Sequence, residues 1–122
     1  MFDHVGLTVS NLERSRAFYA AALAPLGITE RMRFENTIGF GRERPQFWIG
    51  EGDAAQPASR THVAFAAVSR LEVEAFHRAA MDHGGVDHGA PGLRPHYHPD
   101  YYGAFVLDPD GHNVEAVCHR PA

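Results

Sequence analysis

The segment Asp3-His-Val-Gly-Leu-Thr-Val-Ser-Asn-Leu-Glu13 recurs later in the chain as Thr61-His-Val-Ala-Phe-Ala-Ala-Val-Ser-Arg-Leu-Glu72, which puts His62 58 positions after His4. In both copies apolar residues alternate with polar or small ones, the period of a strand with one face in a core. Each copy ends in a Ser-x-Leu-Glu capping box that begins a helix, one residue out of the 58-residue register. The sequence therefore predicts two copies of one supersecondary unit.

Each copy is predicted to contain a strand, a helix and three further strands. Copy one comprises strand 2–9, a helix from Ser10 to about residue 27, and strands 30–34, 37–41 and 46–50; copy two comprises strand 61–68, a helix from Ser69 to about His83, and strands 86–90, 103–107 and 112–119. Residues 52–59 are predicted as a linker and residues 91–100 as an irregular segment. Because neither copy buries enough apolar surface alone, we expect one α+β domain over 1–122. Its repeats, about 1–51 and 60–120, would form a curled eight-strand sheet with two helices.

Composition narrows the possible functions. The 122-residue chain has a net charge of −4, which provides no basic field for nucleic acid. All basic residues are arginine, so lysine nucleophiles are excluded. Cys118 is the only cysteine, which excludes an intrachain disulfide and favours a reducing compartment. Without a signal peptide or an apolar stretch long enough to cross a bilayer, we expect a cytoplasmic protein with no membrane partner.

Three potential metal ligands fall on the strand faces that point away from the helices. Alternation places His4, His62 and Glu115 on that face, on the first strand of each copy and on the last strand. Two imidazoles and one carboxylate on rigid strands are typical of a catalytic metal site with open coordination positions. The alternative is three unconnected, solvent-facing side chains, but the equivalent positions of the histidines favour one divalent ion. Zinc, nickel, manganese and iron(II) are not distinguished by these ligands.

Trp48 is the copy-one counterpart of Glu115 when residues 46–49 are aligned with residues 113–116. An indole at this position either forms a wall of the substrate pocket, where it stacks on an aromatic ring, or fills the core. We assign Trp48 to substrate binding.

The segment Arg94-Pro-His-Tyr-His-Pro-Asp-Tyr-Tyr102 concentrates histidine and tyrosine between prolines and is expected to border the site. The assigned residues are His98, His96 and Tyr102 for catalysis, as general acid or base, and Tyr101 and Arg94 for substrate binding. The alternative is an aromatic-rich loop packed on the rim of the sheet. His112, which follows a turn glycine, is expected to be exposed.

The duplicated unit, the opening Asp3-His-Val-Gly-Leu-Thr-Val9, the helical Arg16-Ala-Phe-Tyr19 and the closing Asp108-Pro-Asp-Gly-His-Asn-Val-Glu115 resemble the vicinal oxygen chelate superfamily. That superfamily includes glyoxalase I, extradiol dioxygenases, fosfomycin-resistance transferases and bleomycin-binding proteins. The resemblance covers essentially the whole chain and implies that His4 and His62, with Glu115, are metal ligands. It does not specify a reaction, because one fold hosts many chemistries.

This chain departs from the family's patterns in two ways, and each departure argues against one of the family's reactions. The family's glyoxalases carry a second glutamate where this chain has Trp48, which argues against a typical glyoxalase site. The fosfomycin transferases add a threonine near the first histidine and a Lys/Ser-rich loop. This chain has Gly6 in the place of that threonine and no lysine, so fosfomycin resistance is not expected.

The resemblance implies a metal-dependent enzyme whose small substrate chelates the ion through two adjacent oxygens. The ion would act as a Lewis acid in a lyase or isomerase, or as iron(II) in an extradiol-type dioxygenase. The alternative is a bleomycin-resistance-like binding protein that holds a planar drug or metabolite between Trp48 and the Tyr101–Tyr102 edge, without turnover. The resemblance also implies a homodimer, in which His4 of one chain meets His62 and Glu115 of the other.

Overall fold

The computed structural model describes residues 1–53 and 61–122, so the predicted linker lies, apart from its first two residues, outside the described part. Copy one contains β1 Val5–Val9, α1 Leu12–Leu23, a short 3-10 turn Ala24–Leu26, β2 Thr29–Phe34, β3 Thr37–Gly41 and β4 Phe47–Glu51. Copy two contains β5 His62–Ala66, α2 Arg70–Asp82, β6 Val86–Leu93, β7 Tyr102–Leu107 and β8 Asn113–Cys118. The predicted α+β fold with two βαβββ units is confirmed.

The eight strands are divided equally between two mixed sheets, ordered β1-β4-β3-β2 and β5-β8-β7-β6. In each sheet the first strand runs parallel to the fourth, and the remaining neighbours are antiparallel. Gly6 pairs with Trp48 in copy one, and Ala64 pairs with Glu115 in copy two. Because Gly6 and Ala64 correspond in the repeat, these registers place Trp48 and Glu115 at equivalent positions.

β6 is longer than the sequence predicts, because it continues past Pro91 to Leu93. The pairing of β6 with β7 is irregular, because its register shifts twice, once on either side of Gly89. Gly89 has a φ of 155°, which glycine adopts readily. β6 is an edge strand, where a proline costs no hydrogen bond of the ladder. The irregular segment therefore begins at Arg94.

The first helix begins one residue later than predicted. Asn11 is its N-cap and accepts a hydrogen bond from the Arg14 amide, whereas the Ser10 hydroxyl donates to Asp110 at 2.5 Å. In copy two Ser69 caps α2 as predicted, accepting from the Glu72 amide. The observed caps, Asn11 and Ser69, share the 58-residue register, so the apparent one-residue slip between the capping boxes disappears.

The Asp108–Gly111 turn of copy two lies against β1 and α1 of copy one. The Asp108 carboxylate accepts hydrogen bonds from the Tyr19 hydroxyl at 2.5 Å and from the amides of Asp110 and His112. The expectation of an exposed His112 is wrong: its side chain is buried, and Nε2 donates to the carbonyl of Thr8 at 2.9 Å. Packing of the turn on the other repeat, which a local pattern cannot show, removes this imidazole from solvent.

The core lies between the two helices and the facing sides of both sheets. It includes Phe18 and Tyr19 of α1, Phe76 of α2, and the inward residues of the strands, among them Phe40, Phe47, Ile49, Val106, Val114, Ala116 and Cys118. The rings of Phe47 and Phe65 meet edge to face with centroids 5.1 Å apart, which joins the sheets of the two copies. Over the described ranges, neither helix has the length and apolar character needed to span a bilayer.

Candidate metal-binding site

The face of β5 and β8 that points away from the helices carries His62 and Glu115 in direct contact. Nε2 of His62 lies 2.9 Å from Oε1 of Glu115, and its Nδ1 lies 3.2 Å from the carbonyl oxygen of Asn113. Both oxygens that His62 faces are acceptors, so each contact requires a proton on the ring nitrogen or, between Nε2 and Oε1, a cation that both atoms bind. Glu115 is only 1% exposed although it points away from the helices. A carboxylate so deeply buried requires a positive or proton-donating partner.

Tyr101 provides that proton donor, because its hydroxyl donates a hydrogen bond to Oε2 of Glu115. Burial and the adjacent carboxylate raise the pKa of the Tyr101 phenol well above its usual value, so the phenol stays protonated. Gly103 lies beneath the pair: a Cβ at this position would be 3.1 Å from Oε2 of Glu115 and 3.2 Å from Cε1 of Tyr101. The missing side chain at position 103 therefore gives the two groups room to meet.

Phe105 forms the floor beside the histidine. It pairs with Glu115 across β7 and β8, and its ring stacks on His62 with centroids 5.9 Å apart. The guanidinium of Arg94 lies over the same Phe105 ring, 5.5 Å from its centroid. Its two terminal nitrogens donate to the carbonyls of Gly92 and Ala90. Arg94 thus borders the site while its donors are directed at the backbone of β6.

His4 lies apart from this cluster within one chain. Its side chain is 60% exposed, Nδ1 lies 2.8 Å from Oδ1 of Asp3, and the other Asp3 oxygen accepts from Arg44 at 3.2 Å. The hydrogen bond with His4, together with the charge of Arg44, lowers the pKa of Asp3. Within the described residues, 1–53 and 61–122, no three His, Cys, Asp or Glu side chains of a single chain lie close enough together to hold a metal ion. The structure thus brings together two of the three predicted ligands.

Trp48 lies on the outer face of its sheet, opposite the helices. Its neighbours Phe47 and Ile49 are buried in the core, while Trp48 is partly exposed. The indole lies over Gly39, where an added Cβ would come within 3.0 Å of the ring. The sequence left open whether Trp48 fills the core, and the strand register puts it on the non-core side.

The loop residues are distributed over both sides of the sheet. Tyr101 points to Glu115, whereas the hydroxyl of Tyr102 donates to Glu74 of α2 at 2.6 Å. Adjacent residues at the start of a strand point to opposite faces, so Tyr102 lies on the helix side, and the expectation that it lies beside the predicted metal ligands is wrong. Nδ1 of His98 accepts from the Asp100 amide at 3.0 Å, and the His96 ring lies against Tyr97.

Sequence reasoning missed four residues of this region: Asp3, Gly103, Phe105 and His119. Phe105 and Gly103 could have been found, because the period-two pattern of residues 103–107 places both on the face of Glu115. Asp3 adjoins His4 in the sequence. His119 was detectable only in the structure, where its ring meets Tyr101 edge-on at 5.1 Å.

Comparisons with known proteins agree on the family. The profile described as the Glyoxalase/Bleomycin resistance protein/Dioxygenase superfamily matches residues 1–116. The chain is 30% identical over 133 aligned positions to the uncharacterized Bacillus subtilis protein YqjT, covering 94% of this chain and 96% of that relative. A crystal structure of a glyoxalase/bleomycin resistance protein from Albidiferax ferrireducens superposes with a TM-score of 0.84 at 34% identity, covering 99% of both chains.

More distant solved structures share the fold. The fosfomycin resistance protein FosX from Listeria monocytogenes superposes with a TM-score of 0.71 at 21% identity, covering 97% of this chain and 92% of that one. A glyoxalase I variant from Zea mays gives 0.72 at 24% identity, covering 95% of this chain and 45% of that one.

Proposed function

This chain belongs to the glyoxalase/bleomycin resistance protein/dioxygenase superfamily, and we propose that it is an enzyme that binds one divalent metal ion and a small substrate that chelates the ion through two adjacent oxygens. The observation that carries the proposal is the 2.9 Å approach of Nε2 of His62 to Oε1 of Glu115 on the outer sheet face. At this separation an imidazole nitrogen and a carboxylate oxygen would both reach one first-row metal ion, which supports the proposal.

The residues present fit such an ion. Both histidines are held through Nδ1, His4 by the carboxylate of Asp3 and His62 by the carbonyl of Asn113, which leaves each Nε2 as the ligand atom. Metal-binding histidines commonly have this arrangement, because the outer acceptor fixes the ring and its tautomer. Mixed nitrogen and oxygen donors suit zinc, nickel, manganese and iron(II) alike.

The third ligand, in this proposal, comes from a second copy of the chain. His4 is exposed, its Nδ1 is already oriented by Asp3, and its own chain does not bring it to His62 and Glu115. A twofold dimer that places each His4 against the other chain's Glu115 would complete two equivalent sites, since a twofold interface repeats every contact.

The residues around the proposed metal site would bind the substrate and transfer protons to or from it. The metal, when bound, would supply the positive charge that stabilises negative charge on the substrate's oxygens. Nδ1 of His98 accepts the Asp100 amide, so Nε2 carries the proton in the neutral ring and is the atom able to donate it. We assign His98 the role of general acid or base, with His96 as the alternative in the same loop. Trp48 and Phe105 would contact apolar parts of the substrate.

The placement of Trp48 also favours a second candidate function. A partly exposed indole beside a glycine, with the Tyr97 and Tyr101 rings clustered 5.0 Å apart on the other sheet, suits a protein that holds a planar aromatic molecule without turnover. Such a protein would have no need of oriented metal ligands. Planar-ligand binding by protein that retains no metal would favour this function over the enzyme.

Elemental analysis of the purified protein tests the metal. We expect one equivalent of a divalent metal per chain after loading and desalting, and less than a tenth of this in Glu115→Ala. The matched control is Glu74→Ala, because Glu74 also accepts a tyrosine hydroxyl but lies on the helix side. Equal metal contents in wild type and Glu115→Ala would reject the proposed site.

A further inference from the structure

Glu115 uses its two carboxylate oxygens differently. Oε1 faces Nε2 of His62 at 2.9 Å, while Oε2 receives the hydrogen bond from the Tyr101 hydroxyl. Only Oε1 is therefore directed at the histidine ligand. A carboxylate with two free oxygens can bind a metal through either one or both, whereas here Oε2 already accepts a hydrogen bond and Oε1 faces the histidine.

Tyr101 is itself held firmly in place. Its carbonyl accepts from the Arg94 amide at 2.7 Å, and its amide donates to the His98 carbonyl at 3.0 Å, so both ends of the loop are fixed to one another. Its ring is held edge-on between Tyr97, with centroids 5.0 Å apart, and His119, with centroids 5.1 Å apart. These contacts fix the position from which the Tyr101 hydroxyl reaches Glu115.

The backbone beneath the hydrogen bond between Tyr101 and Glu115 carries no side chain, because residue 103 is a glycine. At Gly103 an added Cβ would approach both Oε2 of Glu115 and Cε1 of Tyr101 more closely than nearly all observed contacts. The next residue back, Tyr102, makes a similar hydroxyl–carboxylate bond to Glu74 on the opposite face. The two tyrosines therefore form a natural comparison: one bond at the proposed ligand and one remote from it.

We propose that Tyr101 is a positioning residue, whose hydroxyl holds Oε2 of Glu115 so that Oε1 alone is presented beside His62 for metal binding. This inference rests on the proposed function, because it assumes that Glu115 is a ligand. Loss of the hydroxyl frees Oε2 and lets the carboxylate rotate. The metal then meets a less ordered ligand, and both its affinity and its coordination geometry change. Removing an outer hydrogen-bond partner of a ligand commonly costs about tenfold to a hundredfold in metal affinity.

Titration of the metal-free, full-length protein with Co²⁺ alone tests this inference, using the visible spectrum to report both affinity and coordination geometry. We expect Tyr101→Phe to bind Co²⁺ about tenfold to a hundredfold more weakly than wild type, with an altered band shape at saturation. Tyr102→Phe, the matched control, should retain the wild-type affinity and spectrum. Circular dichroism and urea unfolding check that each variant is folded.

A second variant perturbs the hydrogen bond between Tyr101 and Glu115 by adding a side chain to the backbone beneath it. Gly103→Ala introduces the Cβ that crowds Oε2, and we expect it also to weaken Co²⁺ binding and alter the spectrum. Wild-type affinity and spectrum in both Tyr101→Phe and Gly103→Ala would overturn the role of Tyr101 while leaving Glu115 a ligand. Unchanged Co²⁺ binding in Glu115→Ala would instead overturn the metal site itself, and the role of Tyr101 with it.

Discussion

The hydroxyl of Tyr19, on the helix of the first repeat, donates a 2.5 Å hydrogen bond to the carboxylate of Asp108, in the last turn of the second repeat. The donor lies in the middle of α1 and is fully buried, and Asp108 is 3% exposed. The same turn binds Ser10 through Asp110 and Thr8 through His112. This cluster joins the end of copy two to the beginning of copy one, and thereby fixes how the halves of the duplicated domain pack.

Replacing Tyr19 by Phe should destabilise the protein by about 1.5–3 kcal/mol, the usual contribution of a hydrogen bond to a charged group. The ring and its edge contacts with Phe18 and Phe47 remain, so the change isolates the hydroxyl. Urea unfolding at neutral pH measures the difference. Tyr102→Phe, whose hydroxyl bonds to the partly exposed Glu74, should cost less. A loss in Tyr19→Phe no larger than in Tyr102→Phe would contradict this prediction.

The stability of the protein should fall in alkali, in part because of Tyr19. Burial, and then the charge and hydrogen bond of Asp108, raise the pKa of Tyr19 well above its ordinary value of 10.0. The folded state therefore holds this proton more tightly than the unfolded state. The stabilisation is complete below pH 10.0 and decreases as the pH rises further, by at most about 1.4 kcal/mol per pH unit for this group.

Urea unfolding at several pH values between 8 and 11 should therefore show a steeper loss for wild type than for Tyr19→Phe. Part of the loss should remain in the variant, because the pKa values of Tyr101 and Tyr102 are also raised. Parallel profiles for the two proteins would show that Tyr19 does not contribute.

Mixing two variants, each of which lacks one proposed metal ligand, tests whether the metal site spans two chains. His4→Ala and Glu115→Ala homodimers should each bind little metal. After they are unfolded together and refolded, hybrids contain one intact site, made of His4 from one chain with His62 and Glu115 from the other. We therefore expect Co²⁺ binding to recover to about a quarter of the wild-type level, since half of the dimers are hybrids with one of two sites intact.

The matched control mixes His62→Ala with Glu115→Ala. Both substitutions fall in the same half of the site, so every hybrid site lacks one ligand and no recovery is expected. Recovery in both mixtures, or in neither, would contradict a site shared in this way.

Trp48 should report and strengthen binding of an aromatic chelating ligand. It is the only tryptophan, so its fluorescence is a specific signal. We expect catechol to change this fluorescence in Zn²⁺-loaded wild-type protein and to have a much smaller effect without metal. Calorimetry should show roughly threefold to tenfold weaker catechol binding to Trp48→Ala, the value of one aromatic contact, with metal content unchanged. Equal affinities would remove Trp48 from the pocket.

Part of the site was predictable from the sequence because strand faces are a local property. The period-two pattern placed His62 and Glu115 on the side away from the helices, and the structure has the two side chains in contact there. The pattern could not decide between Tyr101 and Tyr102, because the predicted strand begins at Gly103 and its alternation does not extend into the residues before it. The structure sets the phase, and Tyr101 is the tyrosine that reaches Glu115.

The sequence by itself determined the duplicated βαβββ order, the turns and the helix starts to within a residue, because each depends on neighbouring residues and their backbone preferences. Only the tertiary structure decided that His112 is buried, that Asp108 receives the Tyr19 hydroxyl, and that Ser10 bonds to Asp110 while Asn11 caps α1. The hydrogen bonds of Tyr19, Ser10 and His112 join residues 89 to 104 positions apart, so they exist only once the two repeats have packed together. A polar group that is removed from water must form a hydrogen bond, so the packing of the repeats determines which partner each of these buried groups has.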